Sequence, residues 1–409
     1  MAEKQNILNQ FQINDLQHSL DEGDLGLIKI YHKKFGKLLV SIREETNSYY
    51  LYNSLTNLWE PKTKIDILKH FMENMRSIYQ HLVEHYKKKA EDTQNNKEAK
   101  EFNRRANHLQ HFPKFTKVSK AKPLMDLISS QFYNKNFLNN LNNNKELLPV
   151  KNGVIQLKDG KLRKRVKEDY FSFKINVEFK GLEYETKTID KFMLDIFLNN
   201  SPMVEYIQKV LGYSITGFVN QHKIFLWYGS GGNGKGVLMN LLKNLMKPCY
   251  RQLSSDIIIE AGKESTSAAS PNLMQLLGAR LGFVDESEID RKMNKAMVKN
   301  ITGSSTIVAR PLYGNAIVFE QTCQLFILIN SIPKINFGPS LENRLVLIPF
   351  LAQFQNPDKI DQENVYHKLA DSHIEKKLNE KLDEFLVWLV NGSVKYFKDG
   401  VIGQPPPHY

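Results

Sequence analysis

The stretch that most constrains this chain runs Ile224-Phe225-Leu226-Trp227-Tyr228-Gly229-Ser230-Gly231-Gly232-Asn233-Gly234-Lys235-Gly236-Val237. An apolar run stops at a glycine cluster, and the apolar pattern resumes as Leu238, Leu241, Leu242 and Leu245 at helical spacing. That order reads as buried strand, tight loop, helix. Gly229 to Lys235 fit Gly-x-x-x-x-Gly-Lys. In such a loop successive backbone N–H groups converge on phosphate oxygens, the helix N-terminus adds its positive end, and the lysine reaches the outer phosphates. A structural glycine turn is the alternative; the strand before, the helix after and the lysine in place favour nucleotide binding. The expected nucleotide contacts are Gly229, Ser230, Gly231, Gly232, Asn233, Gly234, Lys235, Gly236 and Val237. Gly236 stands where Ser or Thr usually offers a hydroxyl to Mg²⁺, so the metal would rely on phosphates, water and an acidic residue elsewhere.

A chain of 409 residues can bury a full core and is expected to hold two or three units. No apolar run approaches the ~18 residues of a membrane span, and Met1-Ala2-Glu3-Lys4-Gln5 lacks a signal pattern. The expectation is therefore a soluble protein, kept in the cytoplasm and not secreted, with no membrane partner. Lys+Arg 56 against Asp+Glu 44 leaves a net charge of +12, which favours a polyanionic partner, nucleic acid first, over a merely basic enzyme. Cys249 and Cys323 are far apart in sequence, so neither a disulfide framework nor a cysteine metal site is suggested.

From Asp21 to about Arg43 the pattern predicts a helix and then a strand; Tyr49 to Tyr52 predicts a second strand, with Trp59 beyond a turn of Asn53, Ser54 and Asn57. These aromatics can stack on bases, but half-buried strands are rich in Tyr and Trp without any ligand, and core packing is the expectation. Ile65 to His111 reads as mostly helical, with Ile67, Phe71, Met75, Ile78 and Leu82 as an apolar stripe and a charged, exposed continuation beyond Tyr86. His81-Leu82-Val83-Glu84-His85 matches the H-x-x-E-H spacing of inverted zinc peptidases. So short a pattern arises by chance, and a solvated helix face is expected in its place. Lys114, Lys117, Lys120 and Lys122 form one basic stretch, and Lys161, Arg163, Lys164, Arg165 and Lys167 another; each suits phosphate contact or simple solvation. Between them two short strands meet at an Asn152-Gly153 turn, and the N-terminal region is expected to end near Lys180. Thr188 to Asn220 reads as a helical collar with Gly212 and Gly217 as breaks.

Beyond the glycine loop, Ser265 to Ser270 is rich in Ser and Ala and is expected to be mobile. Leu281 to Val284 then form an apolar strand ending in Asp285-Glu286, 50 residues beyond Lys235. The first carboxylate can hold Mg²⁺ and the second can activate the attacking water. Gln324 to Ile329 is another buried strand, ending in Asn330, whose amide can bridge the γ-phosphate and the water. Between these strands, Lys299 to Gly303 precede a predicted hairpin from Ile307 to Phe319 with Tyr313-Gly314-Asn315 near its tip. Glu342-Asn343-Arg344 leads into apolar Leu345 to Phe350.

In this order and spacing the residues resemble the superfamily 3 helicases, within the AAA+ ATPases. The likeness is nearest to the helicase half of the primase-helicases of poxviruses, giant viruses, phages and mobile elements, and covers most of the chain from about Asp21. Asn233-Gly234-Lys235 corresponds to that family's phosphate loop, and Asp285 and Glu286 to its acidic pair. Its Lys-x-x-Thr-Gly and following Arg correspond to Lys299, Thr302, Gly303 and Arg310, its sensor Asn to Asn330 and its arginine finger to Arg344. Leu211-Gly212-Tyr213, Thr216-Gly217, Trp59 and Asn152-Gly153 also look like this family.

The resemblance implies an α/β fold: a P-loop NTPase core of AAA+ type with a central parallel sheet (221–355). Ahead of it stand an α+β N-terminal region (1–180) and a helical collar (181–220), with a C-terminal helical segment (356–409) behind. It implies an ATP- and Mg²⁺-dependent DNA helicase of a viral or mobile-element replication system, a homohexameric ring moving 3′ to 5′ on single-stranded DNA and engaging forked DNA, with a primase or polymerase as a further partner. In that reading Lys235 grips phosphate, Asp285 holds Mg²⁺, Glu286 is the base, Asn330 positions water and Arg344 reaches the neighbouring subunit's nucleotide. Lys299, Arg310 and Tyr313 are the DNA-contact candidates, against a hairpin that is structural only. The chain stops just after a helical segment carrying Phe385, Leu386, Trp388 and Leu389, where relatives commonly continue into a small DNA-binding unit. Upstream there is no acidic motif of a primase domain. Both a helicase fragment and a protein without those parts fit. The alternative function is a nucleotide-controlled nucleic-acid-binding assembly or loader factor without processive unwinding. A small-molecule kinase would leave Asp285, Asn330 and Arg344 unexplained.

Overall fold

The computed structural model describes residues 12–42, 48–110, 121–258, 271–285, 294–310, 316–330 and 339–407. Glu286, Tyr313, the 265–270 stretch, and Lys114, Lys117 and Lys120 lie outside them. Two compact units divide the chain, Met1–Leu138 and Asn139–Tyr409.

The first unit contains α1 (Ile13–Asp21), α2 (Asp24–Phe35), β1 (Leu39–Ser41), β2 (Ser48–Asn53), β3 (Leu58–Thr63), α3 (Lys64–Asp92), α4 (Asn96–Gln110) and α5 (Ala121–Gln131). The strands form an antiparallel sheet in the order β1-β2-β3. A capping box, Thr63 with Asp66, starts α3. The expected stripe of Ile67, Phe71, Met75, Ile78 and Leu82 is wholly buried. A short link turns the chain into α4, which runs back antiparallel, so Arg105 lies over the ring of Tyr86 and Lys89 over that of Phe102. Tyr49 and Trp59 are buried, Trp59 against Tyr52 and Phe137, so these aromatics pack the core as expected. His85 sits edge-on to Tyr86, and His81 lies near Glu84 at 3.9 Å.

The second unit begins with an antiparallel sheet, β4 (Leu147–Val150), β5 (Gly153–Gln156) and β6 (Lys161–Arg163); its first turn is Lys151-Asn152, one residue earlier than expected, because Gly153 already pairs with Val150 as the first residue of β5. Then come α6 (Lys187–Ile196), α7 (Ser201–Ser214), β7 (Ile224–Tyr228), α8 (Lys235–Leu245), β8 (Tyr250–Leu253), β9 (Leu281–Asp285) and α9 (Lys295–Gly303). A hairpin, β10 (Thr306–Ala309) with β11 (Ile317–Glu320), precedes β12 (Gln324–Ile329) and β13 (Leu345–Pro349). A short parallel pair, β14 (Gln353–Gln355) and β15 (His367–Leu369), and the long α10 (Leu382–Asp399) complete it.

The central sheet is five-stranded, ordered β13-β7-β12-β9-β8, with every neighbouring pair parallel. Both faces are buried, which is why its strands read as continuous apolar runs. Phe225, Trp227, Phe283 and Phe326 face the cluster that includes α6, α7 and α10, while Ile224, Leu226, Val284 and Ile327 face the opposite one. Phe225, Phe326 and Phe283 stand in register on adjacent strands and stack at 5.2 and 4.8 Å, a row of aromatic contacts that fixes the alignment of the strands.

The compact units divide between Leu138 and Asn139, and the last strands of the N-terminal region expected to end near Lys180 share the sheet's core, with Leu148, Val150, Ile155 and Leu157 in the same cluster. Buried Arg280 also ties these segments together, donating to the carbonyls of Asn144, Leu147 and Ile215 at 2.9, 2.6 and 2.5 Å. Two expectations about individual residues are corrected. Gly212 does not break the collar helix but lies inside α7. A Cβ there would collide with the backbone of Gly392 and Ser393, and one on Gly392 with that of Gln208, so this glycine pair lets α7 and α10 approach backbone to backbone. The break falls earlier, where Leu198 and Asn199 take φ values of 54° and 60° and Asn200 caps α7. Lastly, Arg163 and Arg165 are not free for phosphate. Arg163 forks onto Asp169 at 3.0 and 2.6 Å, and buried Arg165 donates to the carbonyls of Val150 and Gly153.

Among the described residues no helix is long and apolar enough to cross a membrane. Both cysteines are buried free thiols, and burial raises the pKa of each.

Candidate functional site

The polypeptide leaves β7 at Tyr228, crosses Gly229 to Gly234, and enters α8 at Lys235. Glycine is needed at two points in particular. Gly229 has φ 151° and a Cβ would strike the Phe350 carbonyl, while Gly234 has φ 85° and a Cβ would lie 2.5 Å from Ile196. Cross-links hold the loop from outside: Gly229 N–H donates to Ile329 O at 3.3 Å and Phe354 N–H to Gly232 O at 2.8 Å. From inside, the buried Asn233 amide donates to Ser230 O at 2.5 Å and Phe350 O at 3.2 Å, and accepts from Lys235 N–H at 3.3 Å. Ser230, Gly231, Gly232 and Gly236 are left exposed, and Val237 is half-buried in the first turn of α8.

Lys235 is 6% exposed, and its ammonium donates to Gly229 O and, at 3.2 Å, to Ile329 O, bridging the carboxyl ends of β7 and β12. Burial lowers its pKa, and the charge of Asp285 opposes that shift. Asp285, exposed, ends β9, and Asn330, also exposed, follows β12. Because β7, β12 and β9 are parallel neighbours, the loop, Asn330 and Asp285 all emerge on one edge of the sheet. That edge, outside the carboxyl ends of the strands, is where open α/β sheets bind ligands. Glu286 follows Asp285 in sequence and lies outside the described residues.

Arg344 is on the other edge. It immediately precedes β13, its carbonyl accepts from Ile224 N–H at 2.7 Å, and so it sits beside the first residue of β7. At ~3.3 Å per strand residue, the length of β7 separates it from the glycine loop by roughly 15 Å. Half-buried Arg344 donates through Nη1 to Thr302 Oγ1 at 2.7 Å and makes no ion pair among the described residues. Lys299 is exposed on α9, and Arg310 is exposed at the end of β10, where the hairpin approaches its tip; Tyr313 lies outside the described residues.

One feature escapes sequence reasoning. A cavity of about 160 Å³, lined by Ile196, Phe197, Asn200, Pro349, Leu351 and Tyr366 among others, adjoins the loop where Ile196 meets Gly234. Its walls come from α6, the α7 cap and the chain after β13. The nearest signal is that Ile196-Phe197 and Pro349-Phe350-Leu351 are apolar, which does not bring them together.

Residues 27–198 match the family described as D5 N terminal like, and residues 227–344 a family of unknown function, DUF5906. The chain is 32% identical over 280 residues to the protein named "Putative helicase L207/L206" of Acanthamoeba polyphaga mimivirus, covering 66% of this chain and 29% of that relative. It is 25% identical over 317 residues to "Putative helicase 121R" of Invertebrate iridescent virus 3, covering 73% of this chain and 32% of that relative. "Putative primase C962R" of African swine fever virus (isolate Tick/Malawi/Lil 20-1/1983) aligns at 22% identity over 47% of this chain and 21% of that relative. The chain thus spans less than a third of the length of these relatives. Among solved structures, the apo C-terminal region of NrS-1 aligns at 13% identity and a TM-score of 0.41, covering 60% of this chain and 52% of that one.

Proposed function

We propose that this chain, which resembles viral primase-helicases, contains the motor of a replication helicase: a P-loop ATPase of AAA+ type that hydrolyses ATP to move single-stranded DNA through a ring. The observation that carries the reading is the split site. The glycine loop, Lys235, Asp285 and Asn330 share one edge of the parallel sheet, while an arginine without an ion pair among the described residues waits on the other.

The residues present fit a nucleotide. Lys235 is a buried ammonium whose hydrogen-bond partners among the described residues are backbone carbonyls, and the exposed glycines beside it leave room for phosphate oxygens. Lys235 would bind the outer phosphates, with the N–H groups of the loop and of the first turn of α8 around them. The cavity beside Gly234, lined by both apolar and polar side chains, would take the base. Asp285 would hold Mg²⁺, which supplies charge neutralisation at the phosphates when bound. Asn330 would orient the attacking water and Glu286 would take its proton.

Arg344 cannot span roughly 15 Å of strand to its own loop. It would therefore complete the site of a neighbouring copy, stabilising charge in the transition state and making hydrolysis depend on assembly. A hexamer moving 3′ to 5′ is the arrangement that the family resemblance favours. The net charge of +12 suits DNA, and Lys299 and Arg310, with Tyr313, are proposed to contact the strand in the ring's channel. The relative named as a primase supports a link to priming, through a primase or polymerase partner.

The test is steady-state ATP hydrolysis with and without single-stranded DNA, beside Lys235→Ala, followed by displacement of a forked duplex. DNA stimulation that the variant lacks, together with strand displacement, supports the motor. Hydrolysis and DNA binding without displacement would favour an assembly or loader factor. Mixing Arg344→Ala with Lys235→Ala should restore partial activity that neither has alone; failure of every mixing ratio would count against the trans role.

A further inference from the structure

Thr302 and Gly303 have no task in the reading above, yet both touch Arg344. The Thr302 hydroxyl, on a residue 4% exposed, donates its proton to Val298 O at 2.7 Å, which leaves its lone pairs facing outward. Arg344 Nη1 donates into one of them at 2.7 Å. Gly303 completes the surface: a Cβ there would lie 3.2 Å from Nη1 and 3.4 Å from Nη2, so the guanidinium would have to give by a few tenths of an ångström.

The backbone beneath this contact is fixed on both sides. His222 Nδ1 is 2.6 Å from Thr302 O, Arg344 N–H donates to Leu341 O at 2.8 Å, and Lys223 Nζ donates to Asn343 O at 2.6 Å. A long cationic side chain loses much rotamer freedom when held, so an unsupported arginine would be disordered in most copies. Here a neutral acceptor orients the guanidinium without neutralising it, and among the described residues no carboxylate pairs with it.

We infer that Thr302 and Gly303 are positioning residues for Arg344, a seat that holds the guanidinium aimed outward and charged for the phosphates of a neighbouring copy. This rests on the proposed trans role of Arg344. The seat is the last turn of α9, the helix that carries Lys299, so a shift of that helix moves the guanidinium with it.

The experiment compares ATP turnover in Thr302→Val, Thr302→Ser, Gly303→Ala, Arg344→Ala and the Thr302→Val/Arg344→Ala pair, in the full chain with single-stranded DNA. Thermal melting and binding of a fluorescent ATP analogue are measured alongside. Thr302→Val keeps the shape and removes the hydroxyl; kcat should fall about tenfold with KM for ATP unchanged, since each copy's own glycine loop is intact. Thr302→Ser should restore turnover to within about twofold of wild type, and Gly303→Ala should lower kcat in the same way as Thr302→Val. In the Arg344→Ala background the threonine substitution should add nothing, because its effect runs through the arginine. Wild-type turnover in Thr302→Val while Arg344→Ala is inactive would overturn the seat and leave the trans role standing. Wild-type turnover in Arg344→Ala would overturn both. A loss in Thr302→Val accompanied by a lower melting temperature and not restored by serine would show a purely structural role.

Discussion

Replacing Asn233 by alanine tests whether the glycine loop is a preformed cradle or a flexible one. The side chain is 3% exposed and makes three bonds, at 2.5 Å to Ser230 O and 3.3 Å from Lys235 N–H within the loop and its helix, and at 3.2 Å to Phe350 O just beyond β13. A typical bond of this kind contributes about 1 kcal/mol net, and the two long ones less, so truncation removes roughly 2 kcal/mol of restraint. If nucleotide binding needs the loop in this shape, affinity falls by roughly 30-fold. The assay is titration with a fluorescent ATP analogue, displaced by unlabelled ATP, together with thermal melting of the unliganded protein. Melting should fall by no more than about 8 °C, because the sheet's core is untouched. Asn233→Asp sharpens the test. It keeps an acceptor for Lys235 N–H but loses both donors and sets a carboxylate against two carbonyls and the incoming phosphates, so it should bind more weakly than alanine. Affinity of Asn233→Ala within threefold of wild type, at unchanged melting, would refute the reasoning. The glycine conformations and the backbone bonds of Gly229 and Gly232 would then suffice to set the loop.

A Cβ at Gly236 meets nothing within 4 Å, so Gly236→Ser should fold normally and lower the Mg²⁺ concentration needed for half-maximal hydrolysis. An unchanged Mg²⁺ titration would show that this position does not face the metal. Gly212→Ala drives a methyl into the backbone of α10 and should cost about 1–3 kcal/mol, read as a fall of several degrees in melting temperature. Arg280→Lys keeps a buried charge and three donors, but on a single nitrogen that cannot reach carbonyls served by both Nη1 and Nη2 of the guanidinium, so it should destabilise by about 2–4 kcal/mol by denaturant titration. Equal stability would mean that water replaces the guanidinium at Asn144, Leu147 and Ile215.

The central strands were legible because a parallel sheet covered on both faces leaves uninterrupted apolar runs. β7, β9, β12 and β13 each show one, and the polar residues that end the first three are those the structure gathers at one edge. The hairpin of β4 and β5 was legible from its turn residues to within one position, the turn being Lys151-Asn152 with Gly153 already in the strand. Less legible was anything decided by a partner distant in sequence. Gly212 looks like a helix break because a glycine that ends a helix and one that admits another backbone are the same letter; what separates them is Gly392, on a helix near the other end of the chain. Arg163 and Arg165 look like surface cations until Asp169 and two carbonyls of β4 and β5 are seen to hold them. The division of the compact units at Leu138 was not legible either, since β4 and β5 read as local strands and only their shared core joins them to the sheet.

The placement of Arg344 lies between these cases. Its spacing from Lys235 says nothing about which edge it occupies, but the direction of the strands does. In a parallel sheet every residue that follows a strand emerges on one edge and every residue that precedes one lies on the other. Lys235 follows β7, while Arg344 precedes β13, its neighbour. Once those two apolar runs are granted to be parallel, Arg344 lies a strand's length from its own chain's glycine loop. The proposed trans role of Arg344 therefore rests on strand direction: a site that used both groups would have to be shared between copies.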